Sequence, residues 1–252
     1  MLLLLLDVGN TRLKWGLWQA AADRPGQPWL AHGAMALQDI ETLAAELRHH
    51  PQPRAVLGCA VAGTIATARV EAQLQQLGLR PSWLHSPPEQ CGVRNGYTIP
   101  GLLGPDRWAA LVGARQRCPQ QPALVISVGT AVTIDGLAAD GRFLGGVILP
   151  GFGLMLKALE MGTAGLKVPE GDLREFPANT SDALMTGGAL AISGAAQQMA
   201  GRMTRYAGEP VQLLLTGGAA PKLAPELGLS HILVENLVFE GLLCIARERG
   251  LA

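Results

Sequence analysis

Two short motifs carry side chains suited to phosphate chemistry, and the first is Asp7-Val8-Gly9-Asn10-Thr11, followed closely by Lys14. A glycine in such a loop lets backbone N–H groups approach a phosphate, and Asn10, Thr11 and Lys14 can donate to its oxygens. Asp7 would meet the phosphate indirectly, through Mg²⁺ or its bound water. The motif predicts a phosphate-binding turn, and the alternative is a hairpin turn that happens to use Asp, Gly and Asn.

The second motif is Gly104-Pro105-Asp106-Arg107-Trp108. Proline is favoured at the first position of a helix, so Asp106 and Arg107 are expected in the first helical turn, where the helix dipole keeps Asp106 ionised. An ionised Asp near a hydroxyl suffices for phosphoryl transfer, because the hydroxyl is deprotonated late. The forked donors of Arg107 suit substrate carboxylate or phosphoryl charge. The alternative is a solvated acidic helix start beside an arginine.

The chain repeats one pattern, since residues 5–10 align with residues 125–130. Both segments read as a buried strand that enters a glycine turn and a hairpin, which predicts two copies of one α/β lobe. We expect an N-terminal lobe over 1–118, with the first phosphate loop and a substrate loop, and a C-terminal lobe over 119–252. In the second copy, Gly129 and Thr130 are expected to hold the β- and γ-phosphates from the opposite side of a cleft.

A third glycine element, Leu215-Thr216-Gly217-Gly218, follows an apolar run and is predicted to admit a purine or ribose, or else to be a plain turn. The chain has neither a Walker-type G-x-x-x-x-G-K-[S/T] motif nor a G-x-G-x-x-G motif between a strand and a helix. These absences disfavour the common nucleotide-binding folds.

Hydrophobic periodicity predicts the elements that position these motifs. Strands are expected at 2–6, 12–17, 29–37, 55–60, near 83, and at 123–128, 132–135, 143–149 and 211–215. Helices are expected at 40–49, 65–77, 105–118, after 151, and at 181–206 and 236–249. The segment 87–104, rich in Pro and Gly, is predicted to be an irregular loop that binds or covers something.

Composition removes several classes of protein. Twenty Lys and Arg balance twenty Asp and Glu with no basic cluster, which argues against nucleic acid as a partner. The apolar run 2–6 is too short for a signal peptide or a membrane span. The cysteines form no C-x-x-C pair, so a reducing cytoplasm is expected rather than a disulfide framework or zinc site; they are Cys59, Cys91, Cys118 and Cys244.

Over nearly its whole length, the sequence resembles the type III pantothenate kinases, which have the duplicated actin-like (ribonuclease H-like, ASKHA) two-lobed ATPase fold. The resemblance rests on D-V-G-N-T at 7–11, N-G-Y-T-I-P-G-L-L-G-P-D-R-W at 95–108, V-G-T-A-V-T-I-D at 128–135 and N-T-S-D-A-L at 179–184. It implies a homodimer that phosphorylates pantothenate with ATP and Mg²⁺, the first step of coenzyme A synthesis.

The resemblance also implies roles for individual residues. Asp106 matches the proposed proton acceptor. Thr180 matches a threonine that reaches substrate in the site of the partner subunit, although an N-cap role for it is an equal alternative. The ATP-binding positions implied are Asp7, Val8, Gly9, Asn10, Thr11, Arg12, Leu13, Lys14, Gly129 and Thr130. The pantothenate-binding positions implied are Tyr97, Gly104, Pro105, Asp106, Arg107 and Thr180.

The sequence departs from the family pattern at Ser127, where the family usually has an Asp associated with a monovalent cation, K⁺ or NH₄⁺. Serine keeps an oxygen but loses the charge, so weaker cation binding is expected. Some family members are also named as accessory factors for virulence-gene transcription. Two alternatives therefore remain open, a binding or regulatory protein without turnover, and a related kinase acting on a sugar or another hydroxy acid.

Overall fold

The computed structural model of the chain describes residues 1–19, 29–163 and 168–252. Its strands are β1 Leu2–Val8, β2 Arg12–Gln19, β3 Trp29–Ala36, β4 Ala55–Ala60, β5 Pro81–Trp83, β6 Glu89–Gln90, β7 Val93–Arg94, β8 Ala123–Val128, β9 Ala131–Leu137, β10 Phe143–Pro150, β11 Gln212–Thr216 and β12 Ile232–Leu233. Its α-helices are α1 Leu43–Leu47, α2 Gly63–Gln75, α3 Pro105–Arg117, α4 Phe152–Gly162, α5 Thr180–Ala207, α6 Ala220–Leu223 and α7 Leu237–Glu248.

The described residues form two compact units, each built on a five-stranded mixed sheet. The strand order is β3-β2-β1-β4-β5 in the first unit and β10-β9-β8-β11-β12 in the second. In both sheets the first three strands pair antiparallel and the remaining two are added parallel. The same topology therefore occurs twice, which confirms the duplication predicted from the aligned glycine turns.

Strand β1 lies at the centre of the first sheet and is buried on both faces. Leu4 and Leu6 join the apolar cluster that contains Ile40 and Val70, while Leu3 and Leu5 alternate to the opposite face and are fully buried there. Each buried leucine contributes roughly 1.5–3 kcal/mol relative to an exposed one. The uninterrupted leucine run is thus explained by a strand with helices on both sides of its sheet.

The second unit repeats this arrangement with different side chains. Ile126 and Val128 of β8 and Leu215 of β11 pack with Ile192 and Ala196 of α5 in one apolar cluster. Because α5 carries small residues on its buried face, the long helix can lie close to the sheet. This packing fixes the end of β8, from which the second glycine turn emerges.

Helix α7 belongs to the first unit, which comprises Met1–Arg117 and Leu237–Ala252, whereas the second unit is Cys118–Asn236. The sequence pattern predicted a second lobe over the whole of 119–252, and the structure differs in this helix. The reason is close packing of α7 on α3: a Cβ at Gly241 would come 1.7 Å from the Ala109 carbonyl oxygen. The pair Arg117 Nε and Glu240 Oε2, 2.6 Å apart, joins the same two helices.

Two local predictions were wrong in detail. The helix expected at 40–49 is a 3₁₀ segment, Leu37–Thr42, followed by the short helix α1. The segment 87–104, expected to be irregular throughout, contains the hairpin of β6 and β7, turned by Cys91 at φ 50° and Gly92 at φ 72°. We call residues 87–104 the substrate loop from here on, after the role that the sequence analysis gave it.

Candidate functional site

The first glycine turn connects β1 to β2. The Gly9 N–H donates to the Arg12 carbonyl oxygen at 3.0 Å, and this bond closes the turn. Asn10, Thr11 and Arg12 are exposed at its tip. Val8 and Leu13 are cross-strand partners with fully buried side chains, so these two positions offer a ligand their main chain rather than their side chains.

Asp7 lies one residue before the end of β1, opposite Lys14 on β2 and Cys59 on β4. The Cys59 thiol donates to Asp7 Oδ1 at 3.6 Å. Burial raises the pKa of Asp7 to about 6, and the nearby charge of Asp106 also raises it, whereas Lys14 and the Cys59 hydrogen bond lower it. The structure therefore places the two predicted carboxylates, Asp7 and Asp106, within electrostatic reach of each other.

Asp106 occupies the first turn of α3, as predicted. Its Oδ1 accepts the Arg107 N–H at 2.8 Å, and the Trp108 N–H donates to the Gly104 carbonyl oxygen at 3.0 Å. A Cβ at Gly104 would lie 2.7 Å from Asp106 Oδ1. The glycine two residues before the acid is thus required by the position of the carboxylate itself, and Pro105 begins the helix between them.

Arg107 is buried, with 7% of its surface exposed, and it joins the helix to the substrate loop. Its Nη1 donates to the Tyr97 hydroxyl at 2.9 Å, and its guanidinium lies 5.7 Å from the centre of the Tyr97 ring. A buried guanidinium is costly unless it is paired, so this contact holds both side chains in place. The first unit therefore brings together four of the predicted pantothenate-binding residues, which are Tyr97, Gly104, Asp106 and Arg107.

The second glycine turn has the same construction in the second unit. The Gly129 N–H donates to the Ala131 carbonyl oxygen at 3.0 Å, and the Gly151 N–H donates to the Thr130 carbonyl oxygen at 2.9 Å. A Cβ at Gly151 would come 2.2 Å from the Gly129 carbonyl oxygen, so the residue before α4 packs directly on the turn. The fixed main chain at Gly129 and Thr130 is suited to holding a phosphate.

The third glycine element lies beside the second turn. Gly217 has φ of +100°, and a Cβ there would come 2.4 Å from the Val128 carbonyl oxygen. That same oxygen accepts the Ala219 N–H at 3.0 Å. The two glycine segments that the sequence analysis assigned to phosphate and adenosine binding are therefore adjacent in the second unit.

Ser127 holds the position in β8 that Asp7 holds in β1. Its cross-strand partners are Thr133 and Thr216, where Asp7 has Lys14 and Cys59. The second copy thus replaces a charged environment with hydroxyl side chains. Asp135 is almost fully buried, and its Oδ1 would lie 2.0 Å from a Cβ at Gly146 on the neighbouring strand.

Thr180 is the first residue of α5 and is exposed. The N-cap is Asn179, whose Oδ1 accepts the Asp182 N–H at 2.9 Å. The capping role considered for Thr180 is therefore wrong, because the preceding residue fills it.

The sequence analysis did not assign roles to Cys59 and Asn95. Cys59 could have been found from topology, since β1 and β4 are adjacent parallel strands and their carboxyl ends meet at one edge of the sheet.

Within the three described stretches of the chain, no group of three or more His, Cys, Asp or Glu side chains is arranged to hold a metal ion.

The family model for type III pantothenate kinases matches residues 3–202. The chain belongs to the type III pantothenate kinase family. The type III pantothenate kinase of Leptothrix cholodnii is 53% identical over 258 residues, which cover 99% of this chain and 98% of that one.

Two solved structures are similar in fold. Acetate kinase from Porphyromonas gingivalis has a TM-score of 0.53 at 11% identity, covering 99% of each chain. A protein from Campylobacter jejuni described as a Baf family transcriptional activator has a TM-score of 0.61 at 21% identity, covering 99% of this chain and 100% of that one. The type III kinase chain therefore has the duplicated actin-like ATPase fold that the sequence predicted.

Proposed function

We propose that the protein transfers the γ-phosphoryl group of ATP to the hydroxyl group of pantothenate, giving 4′-phosphopantothenate, the first step of coenzyme A biosynthesis. The observation that carries the proposal is the arrangement at the start of α3 in a chain of this family. Asp106 there lies near Asp7, and the adjacent Arg107 is fixed against Tyr97.

Asp106 is the proton acceptor in this proposal. Its Oδ1 is oriented by the Arg107 N–H, and Gly104 leaves room for the carboxylate. Because the transition state of phosphoryl transfer is loose, the carboxylate mainly orients the attacking hydroxyl and takes its proton late. Arg107 and Tyr97 then bind the carboxylate and polar groups of pantothenate. Thr180 would contact the substrate in the site of the partner subunit.

ATP and a divalent cation fit the residues present. Asp7 and Asp106 are like charges close to each other, and burial adds to the cost of ionising Asp7, so a hard cation would relieve both effects. Mg²⁺ near Asp7 would supply charge neutralisation for the phosphates. In the first unit, the main chain and polar side chains of residues 7–14 would bind phosphate, and in the second unit Gly129 and Thr130 would bind phosphate through their main chain.

We further propose that a monovalent cation, K⁺ or NH₄⁺, binds weakly, because Ser127 lies opposite Thr133 and Thr216 on the neighbouring strands. A homodimer is supported by apolar side chains that α4 leaves exposed, among them Leu154 and Met161.

A cytoplasmic location agrees with four free thiols in the chain. In the described parts of the chain, no helix has the length and apolar character needed to span a bilayer.

The proposal is tested by ADP release from ATP and Mg²⁺ with pantothenate as acceptor, measured in turn with K⁺, NH₄⁺ and Na⁺. Turnover with pantothenate above that with sugars and other hydroxy acids supports the proposed reaction. Turnover on another acceptor alone would identify a related kinase. ATP binding by calorimetry without turnover under any of the three cations would favour the regulatory alternative, for which the Ser127 departure is the specific reason.

A further inference from the structure

One amide side chain fastens the substrate loop from inside. Asn95 Nδ2 donates to the carbonyl oxygens of Pro87 and Pro100, each at 3.2 Å. Asn95 Oδ1 accepts the Tyr97 N–H at 3.0 Å. The first two bonds tie the two arms of the loop together, and the third fixes the residue that carries the phenol to Arg107.

The rest of the loop adds to this arrangement. The Asn95 N–H donates to the Pro88 carbonyl oxygen at 2.8 Å, and the buried Ser86 hydroxyl donates to the Leu103 carbonyl oxygen at 2.8 Å, closing the base of the loop. Prolines have no N–H, so the carbonyl oxygens of Pro87 and Pro100 are what they offer to an internal partner. Asn95 supplies the donors that these two oxygens need.

We propose that Asn95 is a positioning residue for acceptor binding: by holding Tyr97 at the distance at which its hydroxyl meets Arg107, it sets the affinity for pantothenate. The inference rests on the proposed function, in which Tyr97 and Arg107 touch the substrate. Asn95 itself acts through Tyr97. Because the loop is already ordered before pantothenate binds, binding does not have to supply the entropic cost of ordering the loop.

The amide is specific for this task. Two donors and one acceptor are needed on one short planar group, which asparagine provides. Aspartate has the same shape and keeps an acceptor oxygen for the Tyr97 N–H, but when ionised it has no donor, and it would place a negative charge against two carbonyl oxygens. Alanine removes the bonds without introducing charge. Aspartate therefore tests the two donor bonds at constant side-chain volume, and alanine tests the loss of all three bonds.

The experiment compares Asn95→Asp and Asn95→Ala with the wild-type protein and with Thr98→Ala, an exposed position in the same loop. For both Asn95 variants we expect KM for pantothenate to rise about tenfold or more, from the loss of up to three hydrogen bonds, while kcat changes less. The Kd for a non-hydrolysable ATP analogue, measured by calorimetry, should stay within about twofold of wild type. Thr98→Ala should resemble wild type in all three constants.

Hydrogen exchange of the amides at 88–104 gives a readout that does not depend on turnover. The Tyr97 amide should lose protection in Asn95→Ala, which has no acceptor for it, and less in Asn95→Asp, which keeps an acceptor oxygen, while the strands β1 and β8 keep their protection in both variants. Unchanged protection of the Tyr97 amide in Asn95→Ala, or an Asn95→Asp protein with wild-type KM, would overturn the inference. Wild-type protein without pantothenate turnover, but with a Tyr97 amide whose protection is lost in Asn95→Ala, would instead contradict the proposed function and leave the loop contact established.

Discussion

Asp106 Oδ1 lies over the position that a side chain at Gly104 would occupy, since a Cβ added to residue 104 would lie 2.7 Å from this oxygen. That oxygen also accepts the Arg107 N–H at 2.8 Å. The carboxylate is therefore held by a hydrogen bond in a position that is free only because residue 104 has no side chain. Any side chain at 104 must displace the group that we assign as proton acceptor.

Gly104→Ala should lower kcat for pantothenate phosphorylation about 10- to 100-fold, because a displacement of the acceptor by less than 1 Å disturbs its alignment with the hydroxyl. Gly101→Ala is the matched control, since a Cβ at Gly101 has nothing within 4 Å. Steady-state kinetics with both variants check the prediction. Equal kcat values for the two alanine variants would show that the contact has no catalytic consequence.

Asp7→Asn should make the metal-free protein more stable at neutral pH. In the folded protein the pKa of Asp7 is about 6, compared with 3.8 for an unperturbed carboxyl group. The folded state thus binds more protons between these values, so stability falls as pH rises through this window, and the full cost persists above pH 6. A shift of about two pKa units corresponds to about 3 kcal/mol.

Thermal unfolding in EDTA at pH 4.5 and pH 8 measures this effect, with Asp39→Asn, at an exposed carboxyl group, as the control. The gain in unfolding temperature of Asp7→Asn over wild type should be larger at pH 8 than at pH 4.5. A gain that does not depend on pH, or a loss of stability at pH 8, would contradict the assignment of burial as the dominant influence on Asp7.

Gly217→Ala should destabilise the protein by about 2 kcal/mol or more, since φ of +100° strains any other residue and the new Cβ would come 2.4 Å from the Val128 carbonyl oxygen. Gly218→Ala is expected to change the free energy of unfolding by less than about 1 kcal/mol, because its Cβ would have nothing within 4 Å. Urea unfolding of both variants measures the difference. Similar midpoints would refute the tight packing of this turn on β8.

Ser127→Asp should strengthen K⁺ binding, because a carboxylate adds negative charge to a position now flanked by Thr133 and Thr216. We expect the K⁺ concentration for half-maximal rate to fall about tenfold relative to wild type. ADP release measured against K⁺ concentration, with Na⁺ holding the ionic strength constant, gives both values. Identical K⁺ curves for the two proteins would remove Ser127 from the cation site.

Much of the fold could be read from the sequence. The run 2–6 predicted the buried centre of a sheet, and the aligned turns at Gly9 and Gly129 predicted the duplication, because both signals are local. The attachment of α7 to the first unit could not be read in this way. It depends on Gly241 meeting the backbone at Ala109, a contact between residues far apart in the chain.

In the candidate site too, the chemistry of single residues could be predicted from the sequence, whereas contacts between distant segments could not. The types and spacing of Asp7, Asp106 and Arg107 indicated their chemistry, whereas the Cys59 contact with Asp7 depends on which strands become neighbours. The hairpin inside the substrate loop had no sequence signal, since its turn places Cys91, a residue not typical of such turns, at φ 50°. Asn95 lay inside a recognised motif, but its three partners follow from the folded path of the loop.

The most direct test is pantothenate-dependent ADP release by wild-type protein and by Asp106→Asn, with ATP-analogue binding measured on both. We expect turnover in the wild type, a loss of about 100-fold or more in kcat in the variant, and ATP-analogue Kd values that agree within about twofold. Asp106→Asn protein that folds, binds nucleotide and phosphorylates pantothenate at the wild-type rate would contradict the account.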